Sequence, residues 1–368
     1  MESFINNARK RVVNRPDRGN IGYANIKIVG TGGAGNNTIN RLMNIGIRGA
    51  KCVAINTDHQ HLDMIDSHIK ILIGKNLTRG LGAGGNPEIG RKAAEESLDD
   101  LTKILREADL VFITCGEGGG TGTGSAPIIA EIAKKEDAIV VGVVTLPFRS
   151  EIGRIEKAQR GLNELKQYVD TLVVIDNNRL LEIAPDLPII EAFSVADEVL
   201  ATMVKGITET ISLPSLINLD FADVKTILGT GGVTLVGVGE SNGSENRVNE
   251  AIEDALSSPL LDVDIEGAKG ALIHICGGND MTLAEANSVA AKISEKMAMK
   301  DAMIIWGARV SDEFDGFLRV MLLITGIKSP QIYGNEFKRN QSYVGQSFPR
   351  NKVGLSDDIF NISEINSD

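Results

Sequence analysis

The sequence predicts an α/β protein: a parallel sheet with helices on both faces, a long central helix and a second, smaller mixed block. Three observations carry that expectation. Continuous apolar runs recur at 26–30 (IKIVG), 52–56 (CVAIN), 110–115 (LVFITC), 138–146 (AIVVGVVTL) and 171–176 (TLVVID), with helix-length stretches between them, notably 86–107 and 149–168. Strands that are apolar throughout, rather than alternating, are buried on both faces, and crossover helices make them parallel. A single helical pattern, IEAFSVADEVLATMVKGITETIS, then precedes Pro214 and would reach roughly 35 Å at ~1.5 Å per residue. After it come a strand over 233–238, a helix over 244–257, a strand over 270–276, a helix over 282–298 and strands over 302–310 and 317–325.

Composition narrows the function. The 368 residues leave room for two domains. Thirty-eight basic against 49 acidic side chains give a net charge of −11, which argues against a nucleic-acid partner. No apolar run is long enough to insert in a membrane, and the N-terminus has no apolar signal core. Three scattered cysteines exclude a disulfide framework and suit the cytoplasm. Residues 1–22 read as a flexible arm carrying Arg9, Lys10, Arg11, Arg15 and Arg18, and residues 329–368 as a flexible polar tail ending in GLSDDIFNISEINSD. His59, His61 and His68 are expected in a surface loop, not a metal site. Cys52, Cys115, Cys276, the methionines of 297–303 and Trp306 are expected in packing.

Glycine is the informative residue type, with 40 in the chain. VGTGGAGNN at 29–37 follows the first strand and contains G-x-G-x-x-G as Gly30, Gly32 and Gly35. Such a loop lets backbone approach an anion held at a helix N-terminus. A dinucleotide domain would predict the same loop, with Asp58 as a somewhat late ribose ligand. The second loop, GEGGGTGTGSAP at 116–127, holds seven consecutive Gly or Thr residues. A strand-to-helix turn needs only one Gly, whereas N–H groups and hydroxyls wrapped around a polyphosphate need many. The P-loop lysine pattern is absent, so two adjacent phosphate loops favour a nucleoside di- or triphosphate.

GGGTGTG at 118–124 is the signature of the tubulin/FtsZ superfamily of GTPases. With GTGGAGNN at 30–37, INTD at 55–58, GLGAGGNPEIG at 80–90, TLPF at 145–148 and NLDFADV at 218–224, in family order from about 24 to 325, the chain resembles the FtsZ family. INRL at 39–42 and GAGGNPEIGRKAAEES at 82–97 resemble its archaeal members. The resemblance implies a tubulin/FtsZ-like fold with a Rossmann-type GTP-binding domain over 23–189, a central helix over 190–213 and a smaller α+β activation domain over 214–328. Gly32, Gly33 and Asn36 would hold the α- and β-phosphates, and Gly82, Ala83 and Gly84 would sense the γ-phosphate. Gly119, Gly120, Thr121 and Gly122 would wrap the phosphates, and Glu151 and Arg154 would contact ribose and phosphate. Phe193 would stack on the purine while Asn177 and Asp197 read the guanine edge. GTP and GDP would be the ligands, with Mg²⁺ bridging the phosphates and no protein metal ligand.

NLDFADV sets Asp220 and Asp223 one helical turn apart, able to share a face. The base site lies at the start of the long helix and this pair past its end, roughly 30 Å away along a straight helix. These carboxylates would serve the nucleotide of the next subunit, and a heterologous contact of that kind generates an open filament. The resemblance implies that assembly completes the GTPase site: Asp220 and Asp223 orient the water, and Asn218 shapes the loop. It also implies head-to-tail protofilaments at the division site beneath the membrane, and a membrane-anchor or division adaptor on the tail. Two other readings are a tubulin-superfamily paralogue that controls cell shape and an NAD(P)-dependent oxidoreductase. The latter leaves the second loop and the acid pair without a purpose.

Overall fold

Ile26–Thr31 forms the first strand, β1, and all six residues are buried, as an apolar run between two helical layers must be. The computed structural model describes residues 24–179, 186, 188–212, 217, 220–231, 233–242, 246–257, 268–297 and 302–327. After β1 come α1 (Gly32–Asn44), β2 (Ala50–Asn56), α2 (His59–Met64), β3 (Ile69–Leu72) and α3 (Lys75–Thr78). Next are α4 (Pro87–Glu96), α5 (Leu98–Leu105), β4 (Leu110–Gly116), α6 (Thr121–Lys135), β5 (Ile139–Leu146), α7 (Ile152–Leu165) and β6 (Thr171–Asp176). The central helix α8 (Ile189–Ser212) leads to α9 (Phe221–Leu228), β7 (Val233–Ser241), α10 (Arg247–Leu256), β8 (Gly270–Gly277), α11 (Leu283–Lys296), β9 (Met303–Val310) and β10 (Leu318–Ile327).

The strands form one ten-stranded sheet in the order β3-β2-β1-β4-β5-β6-β7-β10-β8-β9. Every pair from β3 to β7 is parallel. β10 runs antiparallel between β7 and β8, and β9 pairs parallel with β8. Leu200, Met203, Val204 and Ile207 of α8 share a core with Phe112 and Val141 on one side and Leu272, Met321 and Leu323 on the other. The central helix therefore packs on both halves of the sheet. A second core lies between α10, α11 and strands β8 and β10, around Ala251, Val289, Ile273 and Leu322.

Two local expectations change. The stretch 86–107 is two helices, because Ser97 leaves helical geometry at φ −109°, ψ 22° and its Oγ accepts a hydrogen bond from Gly74 N. The histidine stretch is no loop: His59 and His61 belong to α2, which Asp58 caps by accepting from His61 N at 3.1 Å. His68 Nδ1 accepts from Cys52 N at 3.0 Å. Cys52, Cys115 and Cys276 are all buried, and Trp306 lies in β9.

Candidate functional site

β1 is where the sheet's connectivity reverses: the chain moves from β1 out to β2 and β3, then returns to β4 on the other side. Open α/β sheets hold ligands in the crevice outside the carboxyl ends of the strands at such a point. Both glycine loops leave the sheet there, and a cleft of about 810 Å³ opens between them. Gly32 and Gly33 form one wall and the run Gly119–Gly122 the other. The two loops touch backbone to backbone. Gly32 has φ +72°, and a Cβ there would stand 2.7 Å from Gly122 N. Neither α1 nor α6 has a side-chain cap on its first turn, so their free N–H groups are donors for an anion. Hydroxyl pairs Thr31–Ser125 at 2.6 Å and Thr57–Thr121 at 2.7 Å brace the loops.

Gly82, Ala83 and Gly84 do not line the cleft but stand behind the second loop. A Cβ on Gly120 would lie 2.9 Å from Ala83 Cβ and 3.1 Å from Gly85 N. Gly82, Gly84 and Gly85 all have positive φ. Gly82 N donates to Thr57 O at 3.1 Å, Asn86 N to Ala83 O at 3.0 Å, and Lys157 Nζ to Gly85 O at 2.7 Å.

Glu151 and Arg154, at the start of α7, line the cleft and pair with each other at 2.8 Å; Glu151 Oε2 also accepts from Phe148 N. Asn177, at the end of β6, and Asp197, on α8, complete the wall. Thr38 Oγ1 donates to Asp197 Oδ1 at 3.3 Å. Burial lifts the Asp197 carboxyl to about 6, partly offset by Thr38 and Arg41. Asn36 is fully buried, and among the described residues neither of its amide atoms finds a protein partner, nor does Asn177 Oδ1. Buried polar atoms are normally hydrogen-bonded, so these amides are suited to ligand groups.

The structure adds residues that sequence reasoning missed. Asn37 faces the cleft beside the buried Asn36, and Asn40, Arg41 and Asn44 follow along α1. The spacing 37, 40, 41, 44 is one helical face, and that polar stripe was the available signal. Glu117, directly before the glycine run, is buried and also lines the cleft. Asp58, the ribose ligand of the dinucleotide reading, does not line it and serves as the α2 cap.

The acid pair lies elsewhere. Asp220 caps α9, accepting from Ala222 N at 3.2 Å, and Asp223 occupies that helix's first turn; both are exposed. A Cβ on Gly231, just after α9, would lie 4.0 Å from Asp170 O at the start of β6, so α9 ends beside the amino ends of the parallel strands. The cleft sits at their carboxyl ends, a strand length of about 20 Å away. Asn218 and the Phe193 side chain lie outside the described residues, as do the arm 1–22 and the tail 329–368. Among the described residues no three His, Cys, Asp or Glu side chains gather as a metal site, and no helix is long and apolar enough to cross a membrane.

Residues 25–185 match the family model described as Tubulin/FtsZ family, GTPase domain, and residues 232–328 match FtsZ family, C-terminal domain. Cell division protein FtsZ 2 of Methanocaldococcus jannaschii is 58% identical over 319 residues, covering 86% of this chain and 84% of that protein. Cell division protein FtsZ 2 of Haloferax volcanii is 53% identical over 326 residues, covering 89% and 81%. Among solved structures, an empty FtsZ dimer from M. jannaschii matches with TM-score 0.79 at 52% identity, over 89% of this chain and 92% of that one. CetZ2 from H. volcanii, solved as a GTPγS-bound protofilament, shares the fold with TM-score 0.74 at 22% identity, over 87% and 98%.

Proposed function

Because this chain belongs to the FtsZ family of the tubulin superfamily, we propose that its cleft binds guanine nucleotide and that a second copy, stacked head to tail, completes the hydrolytic site. The protein is a GTPase of the cell-division cytoskeleton that binds GTP and GDP and self-associates. The observation that carries the site assignment is the meeting of two uncapped, glycine-led helices at the sheet's reversal point, beside buried amides that find no protein partner among the described residues.

In this reading Gly32, Gly33 and Gly119–Gly122 seat the phosphates, with Asn36 and Asn37 at the turn into α1. Gly82, Ala83 and Gly84 report the γ-phosphate through their packing on Gly120. Glu151 and Arg154 take ribose and phosphate. Asn177 and Asp197 read the guanine edge, where a carboxylate accepts from the ring N–H and the exocyclic amine, and Phe193 stacks on the base. Mg²⁺ would be held through the phosphates, whose charge it would offset.

Asp220 and Asp223 lie too far from their own cleft to act there. On a neighbour's γ-phosphate they would orient and polarise the attacking water, with Asn218 shaping the loop; such catalysis is mainly positioning and electrostatics. Loss of the γ-phosphate then weakens the contact at 82–85, which makes the polymer self-limiting. We assign 23–189 to GTP binding, 190–213 to the central helix and 214–328 to activation. The tail 329–368 would dock a membrane-anchor or division adaptor, which places the polymer beneath the membrane at the division site.

Sedimentation of the protein on GTP addition, with and without Mg²⁺, tests the reading. Pelleting that needs GTP and reverses as GTP is consumed is expected; pelleting indifferent to nucleotide overturns it.

A further inference from the structure

Glu117 occupies the last position before the glycine run; the residue lines the cleft and is 4% exposed. Its N–H donates to Thr145 O at 2.9 Å, which fixes the backbone from which the carboxyl projects. The enclosure is tight. A Cβ on Gly161 of α7 would stand 2.4 Å from Glu117 Oε2, and the same position is closed by Thr123 of α6. From β4 the Cys115 thiol, a weak donor, reaches Oε1 at 3.7 Å. No protein donor among the described residues reaches Oε2.

The charged side chains of the surrounding elements are engaged elsewhere. On α7, Arg154 pairs with Glu151, Arg160 with Glu156, and Lys157 with the Gly85 carbonyl. Arg91 of α4 pairs with Glu164. Burial pushes the Glu117 carboxyl up to about 7, partly offset by Thr123 and Cys115. At neutral pH the group is therefore divided between its two protonation states.

We propose that Glu117 is the proton acceptor of the nucleotide site: as a guanine nucleotide enters the cleft, this carboxylate takes up one proton from solvent. The inference rests on the assignment of the cleft to nucleotide. Phosphate and carboxylate would otherwise be two anions flanking the same short loop, with the carboxylate buried, where repulsion is less screened than in water. The N–H groups of that loop stabilise the phosphate, so the carboxyl is the group that neutralises. Binding coupled to proton uptake strengthens as pH falls and weakens as pH rises through and above about 7. Asp197 works in the opposite sense, needing to be ionised for guanine, but with its carboxyl near 6 it is already mostly ionised above pH 7.

The test is titration calorimetry of GDP binding to the full chain between pH 6.5 and 8.5, in buffers of unequal ionisation enthalpy. Wild type should take up a substantial fraction of a proton per GDP at pH 7.5 and lose affinity by up to about tenfold per pH unit. Glu117→Gln should show no uptake from this site, a flat profile and tighter binding than wild type at pH 8.5. Glu117→Leu, apolar at the same buried position, should behave alike and covers a folding defect in the amide variant. Matching pH profiles in wild type and variants overturn the proposal, as does uptake retained by both variants. GDP binding without uptake in wild type removes the role of Glu117 alone. Failure of wild type to bind GDP at any pH overturns the nucleotide assignment as well.

Discussion

Thr38 of α1 donates a hydrogen bond to Asp197 of α8, joining the helix behind the first phosphate loop to the helix that packs on both halves of the sheet. In the proposed site, base recognition and phosphate seating would thus share one pair of packed helices. A shift of α8 would move Asp197 relative to the loop at Gly32, and a nucleotide bound as proposed would sense both.

Asp197→Asn should lower GDP affinity roughly 10- to 100-fold, the loss expected for a hydrogen bond to a charged group, and should erase preference over ADP in a competition assay. The same variant has a signature in stability. Burial holds the folded carboxyl near 6, above its unfolded value of about 3.9. The folded state therefore binds more protons between those values, and this group's contribution to stability falls as pH rises from about 4 to 6. Without nucleotide, Asp197→Asn should unfold at higher urea than wild type at pH 7, with the gap narrowing toward pH 4.5.

Asp223→Ala should bind GTP like wild type and hydrolyse none when pure, because Asp223 is exposed and remote from its own cleft. Its stability should change by no more than about 0.5 kcal/mol. Asp220→Ala should lose turnover too but also cost about 1 kcal/mol, since it removes the cap on α9. Mixing either variant with wild type should give intermediate rates; normal turnover by the pure Asp223 variant defeats the shared site.

Specific GTPase activity should rise with protein concentration from nanomolar to micromolar, because the proposed site needs two chains. A constant specific activity across that range is the signature of a self-sufficient monomer.

Gly124→Ala should separate hydrolysis from binding. Its Cβ would stand 2.0 Å from Pro87 O and 2.6 Å from Arg91 N, both backbone atoms of α4. Overpacking of this kind costs typically 1–3 kcal/mol, read by urea unfolding. Displacing α4 also drags the adjoining loop at 82–86, so GTP turnover should fall more than GDP affinity.

Deletion of residues 353–368 should leave GTP-dependent pelleting intact and abolish recruitment of the polymer to the membrane in cells. Unchanged localisation removes the adaptor role of the tail.

The first strands were legible because a strand buried on both faces cannot hide: Ile28, Phe112 and Val141 are fully buried and read as unbroken apolar runs. β3 escaped because it is a short edge strand in which only Ile71 is buried. The break at Ser97 was invisible because its cause is a contact with Gly74, distant in sequence. The glycine loops announced themselves, since their composition exceeds what packing needs. The stripe at 37, 40, 41 and 44 looked like any solvated helix face, and Glu117 like any charged residue at a strand end. The separation of Asp220 and Asp223 from the cleft followed from helix length, yet their place at the amino ends of the strands required the fold.

The junction of β6 with β7 has a mechanical consequence. Among the described residues, Leu172–Val233 and Val173–Thr234 pair there, beside a threonine hydroxyl contact between Thr171 and Thr234. Leu200, Met203 and Val204 of α8 cover the same junction, sharing one core with Val173 of β6 and Val236 of β7. Sheet and helix thus join the two halves in parallel, so a load on one half reaches the other through both.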